Sequence, residues 1–209
     1  MTCSVIRRQL IRTAARSAVL TLAVMALACG SSGPRPINPA DLTNPFLGPE
    51  QSGWLIGPIA RIATPDERQA YLALTDNAQA DAFIEQFWAK RDPNPQVPGN
   101  PLLSTFEERS TEADRLYSEA GYRGRRTDRG AVFVLYGEPA EVKYEISPSR
   151  SEAAIEAWSY APATPAGLDG KKPSPLYRFI KRGDLTVTYV PRDADPRLRQ
   201  QEGMMPPPL

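Results

Sequence analysis

The sequence predicts an α+β fold in which helices between about residues 64 and 121 pack on a small antiparallel sheet between about residues 131 and 190. Three observations support this prediction. Apolar residues recur at helical spacing in the first half of this range, and capping residues precede them. β-Branched and aromatic runs separated by turn residues follow in the second half. Helices followed by antiparallel strands are typical of a single α+β domain.

Three helices are predicted in the first half. The first begins at residues 64–67 (TPDE), where a threonine cap precedes a proline and two acids in the first turn. The second begins near Asp76 and ends before Pro93. Its apolar stripe comprises Phe83, Ile84, Phe87 and Trp88. We interpret this stripe, and Trp158 farther along the chain, as core residues in preference to a sugar-binding face. The third runs from residues 100–101 (NP) to a stop at Gly121.

Four strands are predicted in the second half. Residues 131–136 (AVFVLY) form a β-branched and aromatic run that ends at a turn, and residues 157–160 (AWSY) form a second, shorter one. Residues 176–181 (LYRFIK) and 185–190 (LTVTYV) flank an Arg-Gly-Asp turn. This last pair predicts a hairpin.

Residues 1–28 have the organisation of a bacterial export signal. Four arginines and no acid precede an apolar run of 12 residues at positions 17–28. A membrane span needs roughly 20 apolar residues, so this run fits a cleaved signal better. The small residues before Cys29 resemble a lipobox, which predicts that Cys29 is acylated and becomes the first residue. Adjacent arginines at positions 7 and 8 leave both the general and the twin-arginine export routes open.

Acylation of Cys29 predicts a protein that is tethered to a membrane surface and does not span it. Gly30 follows the cysteine, and by resemblance to enteric lipoproteins this favours the outer membrane. Residues 29–58, rich in Pro, Gly and Ser, predict a flexible linker. The folded domain is predicted over residues 59–193, and residues 194–209 predict a disordered tail.

Composition excludes the most familiar catalytic chemistries. The chain has no histidine and two cysteines, of which Cys3 lies in the signal and Cys29 carries the lipid. Catalytic triads with histidine, thiol nucleophiles and His- or Cys-held metals are therefore excluded, and we expect no cofactor. Loss of the four signal arginines from 25 basic residues leaves 21 against 24 acidic ones, and this balance together with the predicted export argues against nucleic acid as a partner.

The order of four motifs resembles the GWxTD domain, which occurs in envelope proteins of several bacterial phyla, often as lipoproteins. The motifs are residues 71–74 (YLAL), 83–95 (FIEQFWAKRDPNP), 127–139 (TDRG before a run ending YGEP) and 156–160 (EAWSY). The resemblance covers about residues 62–190. The name-giving motif falls on residues 124–128 (GRRTD), so Arg125 stands where the family has tryptophan, with Tyr122 as a nearby aromatic. The resemblance implies a fold and a location in the cell envelope, and it implies no reaction or ligand.

Two polar pairs, Arg91 with Asp92 and Asp128 with Arg129, lie at the ends of apolar elements. We interpret them as structural, capping element ends and bridging the two halves of the domain. The alternative is a ligand site built from the same carboxylates and guanidinium groups. A further alternative is a hydrolase that uses two carboxylates, drawn from Glu85, Asp92, Asp128 and Glu138.

Residues 122–129 are the most concentrated basic stretch, with four arginines in seven residues. Arginine forks suit phosphate and carboxylate groups, so this stretch is the candidate binding surface. Its candidate residues are Tyr122, Arg123, Arg125, Arg126, Asp128 and Arg129.

These observations together predict a non-enzymatic, lipid-anchored envelope protein whose domain binds another envelope component, with protein as the favoured partner. An anionic glycan or a lipid headgroup is a further candidate ligand. Two alternatives stay open, namely a carboxylate-dependent envelope hydrolase and a module that binds polysaccharide or peptidoglycan.

Overall fold

A computed structural model describes residues 39–147 and 152–191. The predicted signal, Cys29, the first ten residues of the predicted linker and the predicted tail lie outside these ranges. The described part contains six α-helices and four strands, which confirms the α+β class. The helices are α1 (Pro49–Ser52), α2 (Ile59–Ile62), α3 (Pro65–Leu72), α4 (Asn77–Ala89), α5 (Pro101–Tyr117) and α6 (Asp128–Tyr136). The strands are β1 (Glu141–Glu145), β2 (Ile155–Ser159), β3 (Leu176–Arg182) and β4 (Leu185–Thr188).

Residues 39–58 differ from the predicted flexible linker, because they fold onto the helices that follow. A 3₁₀ turn at Pro39–Leu42 and helix α1 lie in this segment, and Leu55 is completely buried. The side-chain amide of Asn44 donates to the carbonyl oxygens of Tyr71 and Leu74 at 3.0 and 2.9 Å. A buried amide that satisfies two carbonyls fixes the segment despite its many prolines and glycines.

Helices α3, α4 and α5 begin where their capping residues predict. Thr64 and Glu67 form the predicted capping box, and Asp76 caps α4 through the backbone N–H of Gln79. Asn100 caps α5 and also donates to the Trp88 carbonyl at 2.7 Å, which joins the two helices. Helix α5 ends at Tyr117, four residues before the predicted stop.

The prediction of a strand at residues 131–136 is wrong, because these residues belong to helix α6. Thr127 caps this helix, and its side chain accepts a hydrogen bond from the Gly130 N–H. All residues from Gly130 to Leu135 are buried. A helix that is surrounded by core is apolar all round, so its sequence lacks the polar face that would have distinguished it from a buried strand.

The sheet is an antiparallel meander in the order β1-β2-β3-β4. The predicted hairpin is confirmed as β3 and β4, and the predicted second strand as β2. Strand β1, which the sequence did not predict, pairs with β2 through the register Val142 to Trp158. The sheet therefore starts at residue 141 instead of 131.

Two hydrophobic cores organise the domain. The first lies among the N-terminal helices and includes Leu55, Tyr71, Phe87 and Trp88. The second joins α5 and α6 to the sheet through Ala113, Val132, Phe133, Trp158 and Phe179. Phe106 on α5 packs against both cores. The predicted core placement of Phe87, Trp88 and Trp158 is thereby confirmed, since each is at most 6% exposed.

Candidate functional site

The segment of residues 122–129, here called the motif loop, packs its backbone closely on α5 and includes the first two residues of α6. A Cβ on Gly124 would stand 1.8 Å from the Ala113 carbonyl oxygen, and a Cβ on Gly130 would stand 1.8 Å from the Gly124 carbonyl oxygen. No side chain fits at such distances, so both positions require glycine. The glycines thus seat the motif loop directly on the backbone of α5.

Thr127 and Asp128 fix the direction in which the chain leaves the motif loop. The Thr127 hydroxyl donates to the Gly124 carbonyl at 2.8 Å and accepts from the Gly130 N–H. The Asp128 carboxylate accepts a 2.6 Å hydrogen bond from the Thr188 N–H on β4, 60 positions away in the chain. These two residues of the name-giving motif therefore tie α6 to the sheet edge.

Arg125, which stands where the family has tryptophan, is held by a carboxylate on α5. Asp114 accepts from both the Arg125 backbone N–H at 2.8 Å and its Nε at 2.9 Å, and the ion pair extends to Nη2. A carboxylate that accepts hydrogen bonds from both the backbone and the charged side chain of one residue holds that residue strongly in place. The structure thus gives this predicted binding residue an internal partner.

Arg129 is the centre of an ion-pair triad. Its guanidinium donates to Glu156 on β2 at 3.0 Å and to Glu119 at 3.1 Å, and all three side chains are at most 20% exposed. Glu119 in turn accepts from the backbone and hydroxyl of Thr186 on β4, and Glu156 accepts from the Trp158 indole. The triad binds α6 to two strands and to the segment after α5.

The triad borders a cavity of about 260 Å³, here called the triad cavity. Its other lining side chains include Tyr144, Lys181 and Thr186. One of the triad's donors, the buried Nε of Arg129, has no hydrogen-bond partner among the described residues. The two glutamates sit close together here, but both are already engaged by the same arginine.

Arg91 and Asp92 have separate partners in the structure. The Arg91 guanidinium makes a two-pronged ion pair with Glu67 at 2.6 and 3.1 Å and lies 3.6 Å from the centre of the Phe87 ring. The Arg91 side chain, as the largest influence, lowers the pKa of Glu67 below its usual 4.5. Asp92 instead accepts from the Asn94 N–H at 2.9 Å, and this bond shapes the loop after α4. Arg91 therefore bridges α3 and α4, whereas Asp92 is a loop residue.

Arg123 and Arg126 differ from the other arginines of the motif loop. Among the residues that the structure describes, neither guanidinium has a hydrogen bond or an ion pair. Arg126 is half-buried against Gly53, where a Cβ would stand 3.1 Å from Nη1. Burial first, and then the like charges of Arg123 and Arg125, lower the pKa of Arg126. Tyr122 beside them is 56% exposed.

These arginines line a second cavity of about 150 Å³, here called the arginine cleft. Its apolar lining, here called the floor, includes Trp54 and Phe106, which pack against the first core, and Glu50 also lines the cleft. A Cβ on Gly57, whose φ is +93°, would stand 2.6 Å from the Arg125 carbonyl oxygen. The two walls of the cleft therefore meet backbone to backbone.

The carboxylates that could serve a hydrolase have varied positions. Glu85 and Glu138 are exposed, and Asp92 and Asp128 are engaged as described. None of the four lines the triad cavity or the arginine cleft. In residues 39–147 and 152–191, no three acidic, Cys or His side chains cluster closely enough to hold a metal ion. The exposed aromatic residues of the described part belong to three different segments and are Phe46, Tyr122 and Tyr144.

Several residues that shape these cavities carry no sequence signal of their own. Asp114, Glu119 and Glu156 lie in segments where acids are common, and only tertiary contacts reveal their arginine partners. Arg109 is similar, because its guanidinium donates to the Val134 and Leu135 carbonyls at the end of α6. Arg109 lies in the middle of α5, 25 and 26 positions from these two residues, so no local sequence signal indicates this role.

The fold and its loop define a small α+β module organised around a glycine-seated motif. The family model of the GWxTD domain matches residues 42–166, more than half of the chain, and the protein belongs to this family. The match begins within the segment first predicted as linker, which agrees with the burial of Leu42 and Leu47. Neither a curated protein nor a solved structure matches the chain. No helix in the described residues is long and apolar enough to cross a membrane.

Proposed function

We propose that this chain is an exported, lipid-anchored protein of the bacterial envelope whose GWxTD domain is a non-catalytic module for binding another envelope protein. The observation that carries the proposal is the contrast within the motif loop. Arg125, Asp128 and Arg129 are held by internal partners, whereas Arg123 and Arg126 have none within the described residues. Charged groups left unpaired on a surface are available to a partner.

The contact surface of the proposal comprises Tyr122, Arg123 and Arg126. Tyrosine and arginine are the residue types that most often dominate binding energy at protein interfaces. The surface lies on a loop whose backbone packs directly against α5 at Gly124. A rigid loop loses little conformational entropy on binding, and this favours recognition of a partner.

The proposed location of the protein in the envelope is supported by residues 1–29. The basic start, the apolar run and the small residues before Cys29 support export and acylation. Two or more acyl chains would hold the domain at a membrane surface, where partners are other envelope components. Changing Cys29 to Ala should move the protein from the membrane to the soluble fraction. Continued membrane fractionation of this variant would contradict lipidation as the tether.

Partner binding is tested by a double variant of the exposed surface. Tyr122→Ser with Arg123→Ser should remove the partner from crosslinked, affinity-purified membranes without unfolding the domain. Arg115→Ser is the matched control, because Arg115 is an exposed arginine that pairs with Glu112 on its own helix. Retention of the same partners by the double variant would refute this surface as the contact.

The alternative of a hydrolase has one favourable observation, since Glu119 and Glu156 both line the triad cavity. A glycosidase requires one carboxyl group that can act as an acid and another that stays ionised. Both glutamates accept hydrogen bonds from the Arg129 guanidinium, an arrangement that favours a structural role for them. Release of reducing ends from purified peptidoglycan that Glu119→Gln and Glu156→Gln each abolish without unfolding would favour the enzyme instead.

A further inference from the structure

The arginine cleft contains more positive charge than its surroundings balance. Three arginines line it, Arg125 is neutralised by Asp114, and Glu50 in its lining supplies one further negative charge. One positive charge is left without compensation. The half-buried Arg126 guanidinium is repelled by Arg123 and Arg125 more than Asp114 attracts it. An arriving anion would relieve this repulsion.

The size of the arginine cleft limits what can enter. Its volume of about 150 Å³ is below the range of about 300–1,000 Å³ that is usual for sites of free small-molecule ligands. This space suits a single side chain delivered by a larger partner.

The chemistry of the lining indicates which side chain fits. Guanidinium groups bind carboxylates through two parallel hydrogen bonds. A monoanion matches the single uncompensated charge, whereas a doubly charged phosphate would overbalance it and be repelled more strongly by Glu50. The floor of Trp54, Ile56 and Phe106 would contact apolar groups next to the carboxylate.

We infer that the arginine cleft is a binding site for an acidic side chain, Asp or Glu, flanked by an apolar residue on the partner protein. This inference rests on the proposed function, and it names the group that the partner presents. The contact of Gly57 with the Arg125 carbonyl holds the two walls together before the ligand arrives. A preformed site of this kind spends little binding energy on rearrangement.

The test uses the full-length chain in a neutral detergent and two synthetic peptides, acetyl-Leu-Glu-Leu-amide and its Gln counterpart. The chain has three tryptophans, so its indole N–H signals resolve in NMR spectra, and Trp54→Phe assigns the signal of the cleft floor. The Glu peptide should shift the Trp54 signal saturably, with a Kd at least tenfold lower than that of the Gln peptide. The Arg126→Gln variant should raise the Kd of the Glu peptide at least tenfold.

Two further variants keep this test falsifiable. Arg126→Lys should bind with intermediate affinity, because it keeps the charge and loses the fork. Arg115→Gln should bind like the wild type, since Arg115 lies on an exposed helix face outside the cleft. Equal affinity for the two peptides, or an unchanged affinity in Arg126→Gln, would overturn the inference. If inorganic phosphate displaces the Glu peptide at a phosphate concentration below the Kd of that peptide, the carboxylate assignment is overturned.

Failure of this inference can be told apart from failure of the proposed function. If the double variant of Tyr122 and Arg123 loses the membrane partner while Arg126→Gln keeps it, the function stands and the cleft is refuted as the contact. If neither variant changes the partners while the purified protein still distinguishes the two peptides, the cleft stands only as a site for an acidic peptide, and both the proposed contact surface and the cleft fail as the contact to the membrane partner.

Discussion

The triad cavity and the arginine cleft are both lined by arginines of the motif loop, but their charges are balanced differently. In the first, Arg129 lies between Glu119 and Glu156, and Lys181 in the lining offsets the second negative charge. Both glutamates also accept further hydrogen bonds. In the second, Arg126 is half-buried without an ion pair among the described residues. A balanced cluster stabilises the fold, whereas an unbalanced one is open to an external anion. The same residue type therefore occupies two different electrostatic environments within four positions of the chain.

The largest effect is expected from breaking the balanced cluster. Arg129→Met should lower the free energy of unfolding by about 3–5 kcal/mol, because it leaves two largely buried carboxylates without their cation. Urea unfolding at neutral pH measures the loss. Arg115→Met is the control and should cost less than about 1 kcal/mol, because its ion pair with Glu112 is exposed. A similar small cost for Arg129→Met would mean that the triad does not hold the fold.

The second-largest loss of stability is expected at Gly124, where the motif loop packs on the backbone of α5. Gly124→Ala should destabilise the protein by about 1–3 kcal/mol or more, because the added methyl group would overlap the Ala113 carbonyl. Gly170→Ala is the comparison, since its φ is +72° but no atom lies within 4 Å of the added Cβ. It should cost only about 1–2 kcal/mol from the left-handed backbone. Thermal unfolding of the two variants separates close packing from backbone strain, and tolerance of Gly124→Ala would refute the seat.

Arg91 represents an intermediate case, with one carboxylate partner. The pKa of Glu67 is lowered in the folded protein, chiefly by its hydrogen bond to Arg91. Its stabilising contribution is therefore present above pH 4.5 and is lost as the pH falls through the lowered pKa. Wild type should lose more stability between pH 7 and pH 3 than Glu67→Gln does. Identical pH dependence of urea unfolding in the two proteins would contradict the pairing.

The smallest effect on stability is expected at Arg126. Arg126→Gln should change the free energy of unfolding by no more than about 0.5 kcal/mol, because it removes a repelled charge and no ion pair. The same urea experiment measures it beside Arg129→Met. A loss of several kcal/mol would show that Arg126 is structural and would remove the contrast between the two cavities.

The sequence predicted the fold best where local chemistry decides the structure. The capping residues Thr64, Asp76 and Asn100 mark the starts of three helices because their side chains bond to nearby backbone N–H groups. Helix α6 was mistaken for a strand because burial on all sides removes the polar face. The segment of residues 39–58 was mistaken for linker because its anchor, Asn44, satisfies carbonyls about 30 positions away.

The sequence predicts which charged residues belong to the candidate site, but it does not predict which of them pair with each other in the fold. The arginines and Asp128 are evident in the sequence, but Asp128 bonds to Thr188 across 60 positions. Whether an arginine has a partner depends on residues brought together by the fold, such as Asp114 for Arg125. The distinction between Arg125 and Arg126, adjacent in the chain, therefore requires the structure.

The most direct test of this contrast is urea unfolding of the full-length chain with acetyl-Leu-Glu-Leu-amide at about ten times its Kd. A ligand that binds only the folded state should then stabilise the wild type by about 1.4 kcal/mol. The same peptide concentration should leave Arg126→Gln almost unchanged. Equal stabilisation of the two proteins, or none in the wild type, would contradict the assignment of the arginine cleft as a site for an acidic side chain.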